Sequence, residues 1–296
     1  MIKLIPLTLD DRDIVKPYFK NITNSMYNFT TALIWNGEKY TKYAEIDGCL
    51  SLFYEFPKTP LFCSYPVGNG DKKAAVANVC EYMRSKDVRP VMRNLSADMK
   101  DELSSLFPDK FEFILDRNTF DYIYETKRMI DLNGKDLHAK RNHYNYFVKN
   151  YNYEYSPLTE KDVPFCKELF EKWIEEKDSA KWLLQSRIAT FKALDNLKAL
   201  DLTGGMIKID NEICAFSIGE PVSDDTALIH FEVASPDVRG AFNAINREFC
   251  ANVWKDYKYV NREEDMGLEG LRKAKEAYRP AFLHEKFHAV LLEEDL

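Results

Sequence analysis

Residues 260–280 read VNREEDMGLEGLRKAKEAYRP and gather the densest set of chemically useful side chains in the chain. Asn261, Arg262, Glu263, Glu264 and Asp265 follow the apolar run 257–260 and supply an amide, a guanidinium and three carboxylates. A carboxylate there can take a proton or hold an ammonium group, and a guanidinium can face developing negative charge. Met266 and Gly267 turn the chain, and 270–278 reads as a charged helix that Pro280 ends. Open α/β sheets bind ligands beyond the carboxyl ends of their strands, which makes this corner a candidate site. A solvated strand-to-helix corner has the same composition and stays open as the alternative.

Two other segments carry candidate ligand groups. Segment 127–149, KRMIDLNGKDLHAKRNHYNYFVK, holds six Lys or Arg against two Asp. A basic aromatic helix of this kind can grip phosphate, and Lys140, Arg141 and His143 lie on it; an amphipathic connector with wet charges is the competing reading. In HFEVASPDVRGAFNAINREF, Glu232 sits near a strand end, and Arg239-Gly240 precedes a helix whose first N–H groups could meet an anion. An ordinary strand-to-helix loop fits the same residues. His284-Glu285-Lys286-Phe287-His288 spells HExxH, but it starts four residues after Pro280 and runs into an alternating, strand-like tail, which argues against a zinc site on a helix. His230, alone in an apolar strand, reads as a satisfied core residue. Walker, dinucleotide-binding and nucleophile-elbow motifs are absent from the sequence.

The elements that must position these groups come in two similar series. The first has a helix at 9–19, a polar aromatic loop at 21–35, a hairpin at 40–55 around Asp47-Gly48, and a strand at 60–65. A helix at 71–86, a strand at 88–92, a helix at 96–107 with Ser96 as N-cap, and a broken strand at 111–124 follow. The second has helices at 162–176 and 182–197, a hairpin at 204–220 around Asp210-Asn211, a strand at 227–234, a helix at 240–255 and a strand at 257–261. The order of elements repeats although the residues do not. We therefore expect an N-terminal domain at 1–130, a basic connecting helix at 131–150 and a C-terminal domain at 151–296.

Composition sets the outer limits. At 296 residues the chain exceeds one ordinary core, and 45% hydrophobic with 30% charged residues describes a globular protein. The formal charge of −7 opposes wholesale coating of nucleic acid while leaving room for a local basic groove. Cysteines 49, 63, 80, 166, 214 and 250 never form CxxC and read as reduced, buried thiols. No run approaches the roughly 18 apolar residues of a membrane span, and the expected location is cytoplasmic.

The strings DLNGKDLHAKRNHYNYFVK and VNREEDMGLEGLRKAKEAYRP resemble the family allied to the C-terminal domain of bacterial phosphatidylglycerol lysyltransferases. The resemblance runs over nearly the whole chain. It implies an α/β fold of two tandem acetyltransferase-like (GNAT) domains, each a mixed, mostly antiparallel sheet flanked by helices. It also implies transfer of an aminoacyl or acyl group, from aminoacyl-tRNA or coenzyme A thioester, to an amine or hydroxyl of a small molecule, peptide or lipid headgroup. On that model Glu232 or Glu264 acts as base or holds an α-ammonium, and Arg262 or Lys273 faces the developing charge. Lys140, Arg141, Arg239 and Gly240 hold donor phosphates. Asn261, Glu263, Asp265, Lys273, Tyr278 and His143 shape the substrate pocket. A non-catalytic module that binds nucleotide, tRNA or peptide is the competing class, and a scaffold whose charges form internal salt bridges is the third.

Overall fold

The computed structural model describes residues 2–175 and 181–292. Glu176, expected at a helix end, and tail residues 293–296 lie outside the described residues. The chain begins with strand β1 (Ile5–Pro6), helices α1 (Arg12–Val15) and α2 (Phe29–Tyr40), the hairpin β2 (Thr41–Ile46) and β3 (Cys49–Tyr54), and short strands β4 (Phe62–Cys63) and β5 (Val67–Gly68). Helix α3 (Lys72–Arg84), β6 (Val91–Leu95), α4 (Ala97–Leu106), β7 (Phe111–Leu115) and β8 (Asp121–Glu125) follow. Next come α5 (Thr126–Asp131), α6 (His138–Asn150), β9 (Tyr153–Pro157), α7 (Val163–Glu175) and α8 (Lys181–Asp195). The second hairpin, β10 (Thr203–Ile209) and β11 (Glu212–Pro221), leads to β12 (Thr226–Ala234), α9 (Ala241–Phe249) and β13 (Tyr259–Asn261). Helix α10 (Glu269–Glu276), β14 (Phe282–His284) and β15 (Phe287–Leu291) close the order.

Local chemistry explains most of these boundaries. Both hairpins turn on two successive residues of positive φ, Asp47 and Gly48 (52° and 76°) and Asp210 and Asn211 (51° and 68°), the turn geometry that matches strand twist. Asp71 caps α3 by accepting from the Ala74 amide at 2.9 Å. Two expectations are corrected. Residues 9–19 form three short helical pieces because Pro17 sits inside the stretch, where it cannot donate to a continuing helix. The loop expected at 21–35 gives way to α2 at Phe29, where the Asn28 side chain accepts from the Thr31 amide at 2.8 Å and burial of Phe29, Leu33 and Ile34 overrides weak propensity.

Two compact units emerge. One comprises the chain up to Asp121, Glu264–Gly267 and the tail from His284; the other comprises Tyr122–Glu263 and Leu268–Leu283. The first unit's sheet has the order β1-β2-β3-β4-β6-β15-β7, with β5 also on β3, and the second has β14-β8-β13-β12-β11-β10-β9. Each repeats one plan. An antiparallel hairpin (β2–β3, β10–β11) pairs with an antiparallel third strand (β4, β12), a helix crosses over (α3, α9), and the next strand joins in parallel (β6, β13). An antiparallel strand then covers it, β15 on β6 and β8 on β13. Those covering strands come from the opposite half of the sequence. Both sheets are mixed and flanked by helices, the α/β class of tandem acetyltransferase-like folds.

Core residues follow the layers. In the first unit all six residues of β3 are buried, and Val76, Val79 and Met83 of α3 are fully buried. In the second, Phe216, Ile218 and Val233 pack against Cys166, Leu169 and Phe170 of α7, while Ala244 and Ile245 of α9 pack with Phe147 of α6. All six cysteines are buried free thiols. The HExxH string divides between two strands: His284 ends β14 and His288 lies on β15, so they share no helical face. His288 instead meets Asp116 through Nε2 at 3.1 Å.

One charged cluster lies wholly within the first unit's core. Lys286 Nζ donates to Asp121 Oδ1 at 2.7 Å and to Ser25 Oγ at 3.0 Å, with both ionic side chains fully buried. Ser25 donates its amide and hydroxyl to the same carboxylate at 2.8 and 2.6 Å. Burial alone would raise the Asp121 carboxyl, but Lys286 and Ser25 outweigh it and hold it below its ordinary value. Removing one partner strands the other charge, so Asp121→Ala should lose about 3–5 kcal/mol in urea unfolding, while Asp121→Leu with Lys286→Met should lose much less. Equal losses in the two would show that packing, not charge, decides the cost.

Candidate functional site

The second unit's site follows from where a parallel ladder stops. Strands β12 and β13 pair only through Thr226–Tyr259, Ala227–Val260 and Leu228–Asn261. Strand β12 runs on to Ala234, antiparallel to β11, so its residues beyond Leu228 have no β13 partner in that ladder. His230 and Glu232 lie in this stretch, where the pairing with β11 shifts register between Ile229 and Phe231. This bulge breaks the simple alternation of faces and leaves Glu232, with Ala227 and Ile229, on the α9 side. The chain leaving β13 supplies Arg262 and Glu263 to meet them.

Arg262 Nη2 donates to Glu232 Oε2, and Asn246 Nδ2 of α9 donates to Glu232 Oε1 at 2.9 Å. The guanidinium carbon lies 5.5 Å from the Tyr124 ring and 5.0 Å from the Tyr278 ring. Tyr278 accepts a hydrogen bond from Asn243 Nδ2 at 2.7 Å, and Lys140 Nζ lies 4.3 Å from the same ring. Two cations thus share one aromatic side chain, a favourable arrangement only because Glu232 balances one of them. Burial would lower the Arg262 pKa, but Glu232 outweighs it and raises it. Burial first, then the Arg262 charge, lower that of Lys140. Burial raises Tyr124 and Tyr278 above the usual phenol range and pushes the Cys250 thiol up to about 12.

The donor set has an open end. Arg262 Nε and Nη1 and Asn246 Oδ1 are buried without a protein hydrogen-bond partner. A buried donor left unmatched costs on the order of 1–3 kcal/mol, so such groups imply a ligand or ordered water that completes them.

A second cluster sits beside the first. His230 Nδ1 meets Glu263 Oε1 at 2.9 Å and Nε2 meets Glu220 Oε1 at 3.1 Å. Burial would lower the imidazole pKa, but carboxylates at both nitrogens raise it to about 9, so the ring is a cation at neutral pH. Glu263 reaches it from a left-handed backbone (φ 57°), which is held by its amide donating to Asn261 Oδ1 at 2.7 Å. Lys275 Nζ adds bonds to the Arg262 and Glu263 carbonyls, tying α10 to the turn.

Of the expected site residues, Arg262, Glu232, Tyr278 and Lys140 come together. Asn261 and Glu263 set the turn and hold His230. Glu264 and Asp265 belong to the first unit, where Glu264 lies 3.9 Å from Lys286 and Asp265 accepts from Arg117 Nη1 at 3.2 Å. Lys273 is drawn out of the pocket: it pairs with Glu269 at 2.5 Å on the exposed face of α10. Arg141 donates to the Leu132 and Gly134 carbonyls at 2.6 and 3.2 Å, closing the end of α5. Arg239 is exposed and lies 4.2 Å over the Tyr146 ring. Gly240 (φ 88°) permits close helix packing, since an added Cβ would stand 2.5 Å from the His143 carbonyl. The His143 side chain itself is exposed. Sequence reasoning missed Tyr124, Asn243 and Asn246. The signal was available for Asn246, a polar side chain among the buried Ala241, Ala244, Ile245 and Phe249 of α9.

This two-unit, acetyltransferase-like architecture carries its polar centre where a central strand pair separates. The chain belongs to the family described as phosphatidylglycerol lysyltransferase, C-terminal, whose model matches residues 19–290. It is similar to a conserved protein of unknown function from Bacteroides thetaiotaomicron, at 35% identity over 99% of this chain and 100% of that one with a TM-score of 0.92. It shares its fold with the C-terminal domain of a putative lysylphosphatidylglycerol synthetase from Agrobacterium fabrum, at 12% identity over 96% and 92% of the two chains and a TM-score of 0.68. An uncharacterized protein from Mycoplasmoides gallisepticum is 23% identical over 206 residues, 66% of this chain and 65% of that protein. The chain thus matches less than two thirds of that relative's length. Among the described residues no helix is long and apolar enough to cross a membrane.

The histidine cluster makes stability depend on pH in a definite direction. The folded pKa of about 9 exceeds the ordinary 6.5, so the contribution is complete below pH 6.5 and is lost as pH rises through 9. The shift corresponds to roughly 3 kcal/mol. Melting temperature should fall between pH 7 and 9.5, and His230→Gln should flatten that fall; an equal slope in both proteins would dissociate the cluster from it.

Proposed function

We propose that the protein is an aminoacyl- or acyltransferase, moving the group from aminoacyl-tRNA or an acyl-CoA to an amine or hydroxyl acceptor. The observation that carries this reading is the Arg262–Glu232–Asn246 cluster with its unmatched donors and acceptor. The family name, that of a lysyltransferase, supports the aminoacyl form.

In this mechanism the carbonyl oxygen of the transferred group approaches the free donors of Arg262. Glu232, fixed at both oxygens, holds the α-ammonium of an aminoacyl group or receives the acceptor's proton. The acceptor nitrogen or oxygen bonds to the carbonyl carbon, and negative charge on the oxygen grows against the guanidinium. The carbon–oxygen or carbon–sulfur bond to the donor then breaks, and the departing oxygen or sulfur takes up the proton. Lys140, whose amine is easier to deprotonate than a free lysine's, stands by to relay it. No covalent enzyme intermediate is required, in keeping with buried thiols whose pKa values are raised. Lipid headgroups, peptides and small amines all remain within this acceptor class.

The test is incubation with labelled aminoacyl-tRNA and labelled acyl-CoA against a panel of amine and hydroxyl acceptors. Arg262→Ala and Glu232→Gln should each lower transfer by about tenfold or more while circular dichroism stays unchanged. Consumption of neither donor by the wild-type protein would leave a binding module, and undiminished transfer in both variants would move the chemistry elsewhere.

A further inference from the structure

The first unit carries a cleft that plays no part in the cluster above. Its volume is about 660 Å³, within the range of ligand sites, and Lys42, Glu55, Phe56, Leu61, Tyr82 and Lys86 line it. The β2–β3 hairpin supplies Lys42, the chain leaving β3 supplies Glu55 and Phe56, and the last turn of α3 supplies Tyr82.

The aromatic geometry is specific. Phe56 lies nearly parallel to Tyr54 (centroids 6.3 Å, 11°) and to Phe62 (6.0 Å, 28°), and Tyr54 stacks on Phe62 at 4.9 Å and 18°. Tyr40 tilts against Phe56 at 5.4 Å, and the Arg93 guanidinium lies 4.1 Å from the Phe62 ring. The Tyr54, Phe56 and Phe62 centroids lie 4.9–6.3 Å from one another, so the three near-parallel rings form a compact triangle with Arg93 on Phe62. Phe56, half-buried, is the one of the three that lines the cleft. Across the cleft Tyr82 stands edge-on to Phe53 at 5.7 Å, which fixes its plane.

The cations give the cleft its sign. Lys42 pairs with Glu55 at 2.6 Å, so those two cancel. Lys86 is exposed, lies 5.5 Å over the Tyr82 ring and leaves a net positive charge at the lining. Lys39, 5.2 Å over Tyr40, adds a second cation to the same aromatic cluster. A half-buried ring for a base to stack on, with cations over the neighbouring rings for a flanking phosphate, is what a nucleotide needs, and an acidic chain of net charge −7 offers such a place only locally.

We propose that this cleft binds a single-stranded RNA segment, a base stacking on Phe56 and a flanking phosphate meeting Lys86. The choice of RNA rests on the aminoacyl-tRNA form of the reading above. The stacking site itself does not, because every base presents a π-face.

The test is fluorescence anisotropy of a labelled single-stranded RNA decamer, read at low and raised salt. Phe56→Ala should weaken binding by about tenfold or more, Phe56→Trp should restore it, and Lys86→Glu should weaken it and reduce the salt slope. Arg262→Ala should leave anisotropy unchanged even where it abolishes transfer. Melting curves of each variant identify any loss due to unfolding, and Lys86→Glu, at an exposed position, keeps the test open should Phe56→Ala destabilise the unit. Binding that all cleft variants retain, or AMP competing as well per nucleotide as the decamer, overturns the proposal. Loss of RNA binding in the cleft variants with no aminoacyl transfer by the wild type keeps the cleft and removes the transferase reading. Transfer from aminoacyl-tRNA with no decamer binding does the reverse.

Discussion

The early end of the β12–β13 ladder is the constraint on which the polar centre depends. A strand that stays paired on both sides spends its backbone groups on its neighbours and presses its side chains into flanking layers. Beyond Leu228 the β13 side of β12 no longer has a ladder partner, and the chain that would have continued β13 turns through Asn261 and a left-handed Glu263 instead. That turn needs its own fastening, since positive φ is uncomfortable for a residue bearing a Cβ. Asn261 Oδ1 and Lys275 Nζ provide it from the two ends. Glu232, Arg262 and the histidine cluster all occupy space opened by one missing strand pairing.

Placing charges in that space is costly unless each finds a partner, and the two clusters solve the problem differently. His230 is enclosed by two carboxylates, each nitrogen satisfied, and its field is closed on itself. Arg262 is matched through one nitrogen and leaves two buried nitrogens without an acceptor. The aromatic walls of Tyr124 and Tyr278 tolerate a guanidinium face-on but offer nothing in its plane. The histidine cluster is therefore complete as built, and the arginine cluster is complete only with something added. That difference distinguishes a structural charge cluster from a binding one more sharply than burial does.

Legibility in the sequence follows how local the determining physics is. The hairpins at Asp47-Gly48 and Asp210-Asn211 were readable because two adjacent residues fix the turn. The repeated hairpin, strand, helix, strand order was readable because periodicity marks each element. Arg262 and Glu232 stood out by type, and the 127–149 segment by charge, but charge could not tell that Arg141 serves the Leu132 and Gly134 carbonyls just after α5 while Lys140 reaches Tyr278. The division of 261–265 was beyond reach for a related reason. With Glu263 and Met266 both at positive φ, side chains no longer alternate as in a strand, and Glu264 and Asp265 depart to Lys286 and Arg117. Which strand covers β6 or β13 is a long-range choice, and nothing in the pattern of β8 or β15 names its partner.

That choice of covering strand separates the fates of two similar arginines. Arg93 in the middle of β6 and Arg262 just past β13 each belong to the segment reached through the crossover helix, and each precedes a left-handed residue, Asn94 (61°) and Glu263 (57°). Each lies over an aromatic ring and has a buried Nε without a partner. Beside Arg262 stand Tyr124 from β8 and Glu232 from β12, and the carboxylate raises its pKa. Beside Arg93 the covering strand β15 brings His288, whose Nε2 is engaged by Asp116. Burial consequently lowers Arg93, and Asp116 only partly offsets it. Repetition of the backbone plan thus reproduces the placement of a cation but not its counter-charge. The counter-charge is what orients Arg262 and leaves a defined set of free donors, so the capacity for chemistry resides in the carboxylate of β12 rather than in the repeated segment.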